Sequence, residues 1–168
     1  MKQIDLKRLY ELAGGQALVL EEGLYHFTGL MRKDQPFREY FENEAVPQEK
    51  KKELFSALEP AAPAIVKDFI SFIIENRLGR ALVKLSNDFT REVAAREGIV
   101  FATVQSAMPV EEKERQEIKK YLGDQVCLRQ EIDLSLIGGL RFWTSDGRYF
   151  DGSLRGAINK LKEKVAYA

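Results

Sequence analysis

The chain has 168 residues, 45% hydrophobic and 31% charged, which is room for one medium domain or two small ones. Its 26 Lys and Arg balance 26 Asp and Glu, so the net charge is zero and gives no support to general nucleic-acid binding. One cysteine, Cys127, and one histidine, His26, exclude an intramolecular disulfide and a cysteine metal cluster and limit histidine-based chemistry.

No basic start followed by an apolar stretch marks a signal peptide, and no Arg/Ser-rich, acid-poor leader marks an organellar precursor. No apolar run approaches the ~20 residues that span a bilayer. The expectation is a bacterial chain without a membrane span of its own.

The first 96 residues read as helices. Gln16–Arg32 carries Ala17, Leu20, Leu24, Phe27 and Met31 on one stripe at steps of three and four. Pro36–Phe41 suits a short helix, because proline fits a first turn. Pro47 opens another, with Lys51, Leu54, Phe55 and Leu58 following. Pro60 and Pro63 precede a helix over Ala64–Asn76. The spacing of Leu78, Leu82, Leu85, Phe89 and Val93 predicts a last helix over Leu78–Arg96.

At Gly98 the period changes. Val100, Ala102 and Val104 alternate with Phe101 and Thr103 as in a strand. Val110–Leu122 follows as a charged helix, with Glu111 and Arg115 at ion-pair spacing. Val126, Leu128 and Ile132 alternate again, and Cys127, off that alternation, reads as a packing residue. Leu140–Thr144 and Arg148–Phe150 flank Ser145-Asp146-Gly147, a hairpin signal. A final helix carries Leu154, Ile158, Leu161 and Val165 on one stripe. The expected fold class is α+β: a six-helix-type bundle over 1–96, then a β-α-β-β-α module over 97–168.

The glycines of this second half crowd the stretch Asp133–Gly156. Glycine serves where the backbone needs positive φ or close approach. Gly138-Gly139 lacks the following Gly-Lys-Ser/Thr of a phosphate loop and reads as a bend between strands. Asp151 or Ser153 reads as a helix cap in preference to an anion site. The stretch carries no nucleophile–base pair and no metal-ligand cluster, and no cofactor is expected. His26 falls opposite the apolar stripe of its helix and reads as an ordinary exposed histidine.

In Ala64–Asn76 the apolar residues Ile65, Val66, Phe69, Ile70, Phe72, Ile73 and Ile74 cover roughly 200° of the circumference, where a surface helix needs ~100°. Two readings fit. The helix is buried on two sides by its own bundle, or one edge packs inside and the other receives a partner helix.

The segments IDLSLIGGL and FDGSLRGAINKL resemble the C-terminal signature of the delta subunit of F-type ATP synthases, whose mitochondrial counterpart is the oligomycin-sensitivity-conferring protein. The signature positions are Asp133, Ser135, Leu136, Ile137, Gly138 and Gly139, then Asp151, Gly152, Ser153, Leu154, Arg155 and Gly156. EGIVFATVQSAMPV is similar to the family's first C-terminal strand. The resemblance implies a non-catalytic stator subunit, one copy per complex. It would link the catalytic head to the membrane-anchored b subunits on the cytoplasmic face of a bacterial plasma membrane, and so support proton-driven ATP synthesis.

The resemblance also implies two contacts. A groove between the first and fifth helices, here Ile4–Ala13 and Ala64–Asn76, would receive the N-terminal helix of an alpha subunit. Its expected contacts are Ile65, Asp68, Phe69 and Phe72, with Leu9 and Leu12 opposite. The C-terminal half would hold the C-terminal ends of the b subunits in the peripheral stalk, with Trp143, Tyr149 and Phe150 as contact candidates. The first helix departs from the family pattern: only Leu9-Tyr10-Glu11-Leu12-Ala13 resembles its expected end. Two other readings stand beside this one: a small nucleotide-binding enzyme using the glycine-rich half, and a helical adaptor outside the synthase.

Overall fold

The computed structural model describes residues 4–123 and 125–154. The chain divides into two compact units, Met1–Val93 and Ala94–Ala168. The fold class is α+β, helices first and a small sheet after.

The first unit is built from α1 (Leu6–Ala13), α2 (Ala17–Lys33), α3 (Gln35–Glu42), α4 (Gln48–Leu58), α5 (Ala64–Glu75) and α6 (Leu82–Glu97), the unit boundary falling within α6. Asp5 caps α1, its carboxylate accepting from the N–H groups of Lys7 (3.0 Å) and Arg8 (3.3 Å). Asp34 serves two helices. Its N–H donates to Leu30 O (2.9 Å), ending α2, and its carboxylate accepts from Phe37 N (2.9 Å), starting α3.

The stripe of α2 is buried as its spacing predicts: Ala17, Leu20, Leu24, Phe27 and Met31 are all inside. Phe27 is the hub. The rings of Phe37, Phe41 and Phe55 stand edge-on to it at 5.7, 5.2 and 5.1 Å, joining α2 to α3 and α4. Leu58, on the predicted α4 stripe, is exposed instead. Lys51 is buried there, its ammonium 5.8 Å from the Phe41 ring, and burial lowers its pKa.

A polar seam joins α2 to α6. Thr90 Oγ1 donates to the buried Glu21 carboxylate (2.6 Å), and the Thr28 and Ser86 hydroxyls meet at 3.3 Å. Buried polar pairs of this kind tolerate little sliding, so they set the register of the two helices.

The predicted helix over Leu78–Arg96 begins later than expected. Arg77 takes φ 56°, a short 3-10 turn spans Gly79–Ala81, and the α-helix starts at Leu82. The cause is at Gly79, where an added Cβ would lie 2.8 Å from the Phe41 carbonyl oxygen. The chain passes too close to the end of α3 for a helix carrying side chains.

The second unit holds a four-stranded sheet in the order β2-β1-β3-β4: β1 (Val100–Ser106), β2 (Val126–Ile132), β3 (Leu140–Thr144) and β4 (Tyr149–Asp151). Strand β1 pairs parallel with β2 through the crossover helix α7 (Glu112–Leu122) and antiparallel with β3. Among the described residues the order is β-α-β-β-β, both arms of the hairpin at Asp146-Gly147 being strands. The predicted final helix with Ile158, Leu161 and Val165 lies outside the described residues.

Ala102, Val104, Phe142, Val110, Ile118 and Leu122 form the core between one sheet face and α7, with Val126, Leu128 and Leu140 packed against it. Glu111 does not pair with the Arg115 side chain. Its own side chain caps α7 in a capping box with Glu114, while the Arg115 guanidinium donates to Gln130 (3.0 Å). Cys127 is exposed, a correction to its reading as a packing residue: it points to the sheet face away from α7.

Candidate interaction surfaces

Helix α5 buries Val66, Phe69, Ile70, Ile73 and Ile74. At 100° per residue these span about 140°. Ile65 and Phe72 extend the apolar arc beyond the buried one on the Phe69 side by about 60°. Ile65 is half-buried, while Phe72 is 44% exposed and stacks on the buried Phe69 ring at 6.2 Å. Asp68 is exposed on the same side. The helix is therefore neither buried all round nor an ordinary surface helix; one apolar edge is left uncovered.

Helices α1 and α5 both pack on α2. Leu9 of α1 is half-buried and Leu12 is 77% exposed. The α5 contact with α2 is close because Gly23 has no side chain: a Cβ there would fall among the Val66 methyl groups. His26 is exposed, as expected, and its Nδ1 lies 2.9 Å from a Glu59 carboxylate oxygen.

In the second unit the three candidate aromatics separate. Trp143 and Tyr149 are register partners on the sheet face away from α7, and Tyr149 is 64% exposed. Phe150 lies on the opposite face, its ring stacked on Phe142 at 5.4 Å. Alternation along a strand enforces this split, since neighbours in sequence point to opposite faces. The Trp143 face also carries a polar row the sequence reading missed. Gln105 Nε2 donates to Glu131 (2.7 Å), Arg141 Nε donates to Gln105 Oε1 (2.7 Å), and the Arg141 guanidinium reaches Asp133 (3.2 Å). Each member lies on a different strand or turn, so spacing along the chain held no signal for it.

The two signature segments meet in space. Leu154 N donates to Gly138 O and Gly152 N to Leu140 O, both at 3.0 Å. Gly139 takes φ 73°, and a Cβ on it would collide with the Gly152 carbonyl oxygen. Asp133 closes the turn before it by accepting from Ser135 N (3.0 Å). Asp151 Oδ1 accepts from the Ser153 hydroxyl (2.6 Å) and N–H (3.0 Å), and these bonds, the hydroxyl's first, hold its carboxyl below the ordinary aspartate range. At the hairpin the Arg148 guanidinium and then the Thr144 hydroxyl hold the Asp146 carboxyl down in the same way. Arg155 and Gly156 lie outside the described residues.

Among the described glycines of the stretch Asp133–Gly156, Gly139 is accounted for by the backbone crossing, Gly147 by its positive φ in the hairpin, and Gly138 and Gly152 by the close side chains of Leu154 and Phe150. Among the described residues no group of three or more His, Cys, Asp or Glu is placed to hold a metal ion. Among the same residues no helix is long and apolar enough to cross a membrane. At one end of the sheet a cavity of about 200 Å³ is lined by Met108, Val110, Glu114, Ile137, Gly139 and Leu140 among others.

A model of the ATP synthase delta (OSCP) subunit family matches residues 7–165. Relatives named ATP synthase subunit delta include one from Persephonella marina, 28% identical over 143 residues, covering 81% of this chain and 78% of the relative. Another, from Ruminiclostridium cellulolyticum, is 26% identical over 164 residues, covering 94% and 93%. A chain in the solved Toxoplasma gondii mitochondrial ATP synthase hexamer is similar in fold, with a TM-score of 0.54 at 14% identity over 96% of this chain and 93% of that one.

Proposed function

The chain belongs to the ATP synthase delta (OSCP) subunit family, the non-catalytic peripheral-stalk subunit of the F-type synthase, and we propose that it works by gripping two partners at once. As a subunit of that complex it needs no bond-making chemistry. A stator must resist torque, and its task reduces to two interfaces that hold while the central stalk turns. Membership of the family also sets aside the readings as a nucleotide-binding enzyme and as an adaptor outside the synthase.

In this reading the segment 1–96 binds the N-terminal helix of an alpha subunit, and 97–168 binds the C-terminal ends of the b subunits, on the cytoplasmic side of the membrane. The observation that carries the first contact is the uncovered apolar edge of α5, with Phe72 44% exposed beside buried Phe69. A helix laid along that edge would bury Ile65 and Phe72, with Leu9 and Leu12 of α1 as further apolar contacts and Asp68 as a polar one. For the second contact, Trp143 and Tyr149 share one sheet face and form one surface, whereas Phe150 belongs to another.

Titrating the full chain with a peptide of the N-terminal helix of the alpha subunit, and separately with a peptide from the C-terminal end of a b subunit, tests both contacts. Saturable binding of both is expected. Binding of neither the peptides nor the assembled head and stalk would overturn the bridging role.

A further inference from the structure

Ile137 takes φ 66° and ψ −37°, outside the regions open to an L-residue, and a β-branched side chain makes that conformation harder still. Its side chain is nevertheless 70% exposed, so burial in the unit does not compensate. It stands at the rim of the sheet-end cavity, which Met108, 75% exposed, also lines. The bend itself needs no isoleucine. Gly138 and Gly139 follow directly, and the buried side chain of the turn is Leu136. A strained and exposed apolar residue beside an apolar cavity calls for a partner that covers it.

The chemistry of the rim selects the partner. Glu114 lines the cavity, and Glu112 in the same first turn of α7 and Glu111 at its N-cap are exposed, as is Lys113 between Glu112 and Glu114. The Arg115 guanidinium donates to Gln130 (3.0 Å) and pairs with Glu112 at 3.9 Å, so three carboxylates against the two cations Lys113 and Arg115 leave this turn acidic. We infer that Ile137 and Met108, with this acidic rim, form the docking point for a basic segment of the peripheral stalk that inserts an apolar side chain between them. This rests on the reading that the C-terminal unit binds the stalk. It moves the centre of that contact from the Trp143–Tyr149 face to the end of the sheet.

The test uses the full chain and the soluble part of the peripheral stalk, with affinity measured at low and high salt alongside thermal melts. Ile137→Asn is the main variant, because asparagine tolerates positive φ better than isoleucine and leaves the charge of the rim unchanged. Its melting temperature is expected to equal or exceed that of the parent, while stalk affinity falls at least about tenfold. Met108→Asn, at an exposed site and also without a change of charge, is expected to weaken binding similarly. Parent binding should weaken as salt rises. Unchanged affinity in both variants, or parent binding that is indifferent to salt, overturns the inference and leaves the bridging role standing. Absence of stalk binding by the parent chain overturns the bridging role itself.

Discussion

Gly139 and Gly152 meet backbone to backbone: a Cβ on Gly139 would occupy the space of the Gly152 carbonyl oxygen. The relationship brings two short motifs, separate in sequence, together at one point in space. Gly139 leaves out a side chain so that the second motif can pass, and the hydrogen bonds from Gly152 to Leu140 and from Leu154 to Gly138 lock the crossing. Gly139→Ala adds both a clash and an L-residue at φ 73°, so it should destabilise the second unit by about 2 kcal/mol or more. Gly147→Ala, with open space around its Cβ but φ 92°, bears only the conformational cost and should be the milder of the two. Chemical denaturation of both variants checks the order.

Helix α2 contains two interior glycines with opposite expectations. Gly23 faces the Val66 methyl groups, whereas a Cβ on Gly29 would meet nothing nearer than an Arg32 guanidinium nitrogen at 3.7 Å. Gly29→Ala should therefore stabilise the bundle by about 0.5–1 kcal/mol through helix propensity. At Gly23 the same gain is opposed by overpacking of about 1–3 kcal/mol, so Gly23→Ala should be destabilising. Urea midpoints of the two variants should move in opposite directions.

Asp151 should leave a mark on the acid limb of stability. Its carboxyl is held below the ordinary aspartate value of 3.8 by the Ser153 hydroxyl and N–H. A depressed folded-state value means that the unfolded chain binds the proton more readily. The stabilisation is then complete above the unfolded value and is lost as pH falls through the folded one. Asp151→Asn should melt below the parent at pH 7, and the gap should close as pH falls below about 4. A gap that is constant with pH would mean that the carboxylate charge contributes nothing there.

The helices and strands were legible wherever periodicity was strong. The α2 stripe, strands β1 and β2 and the Asp146-Gly147 hairpin lie where their spacing put them, because each is a local pattern; the burial of Phe101 and Thr103 on the second face of β1 and the exposure of Ile132 on β2 do not follow the alternation. What stayed hidden was set across the chain. The late start of α6 depends on Gly79 passing the end of α3, and the polar row on the sheet joins residues from three strands and a turn. Phe150 was grouped with Trp143 and Tyr149 by sequence proximity, which strand alternation undoes. The over-apolar circumference of α5 was readable, but only the structure separates its buried arc from its uncovered edge, the one to which Phe72 belongs.

The most direct measurement of the bridging role compares the parent with Phe72→Asp. Each full chain is titrated against the isolated alpha–beta head and, separately, against the soluble peripheral stalk. Phe72 is a half-exposed ring stacked on Phe69, so the substitution should cost about 1–2 kcal/mol and lower the melting temperature while leaving the chain folded at 25 °C. The account predicts that head affinity falls at least about tenfold, which is about 1.4 kcal/mol, while stalk affinity stays within about twofold. Parent-like binding of the head by Phe72→Asp, or loss of head and stalk together in the folded variant, would contradict it.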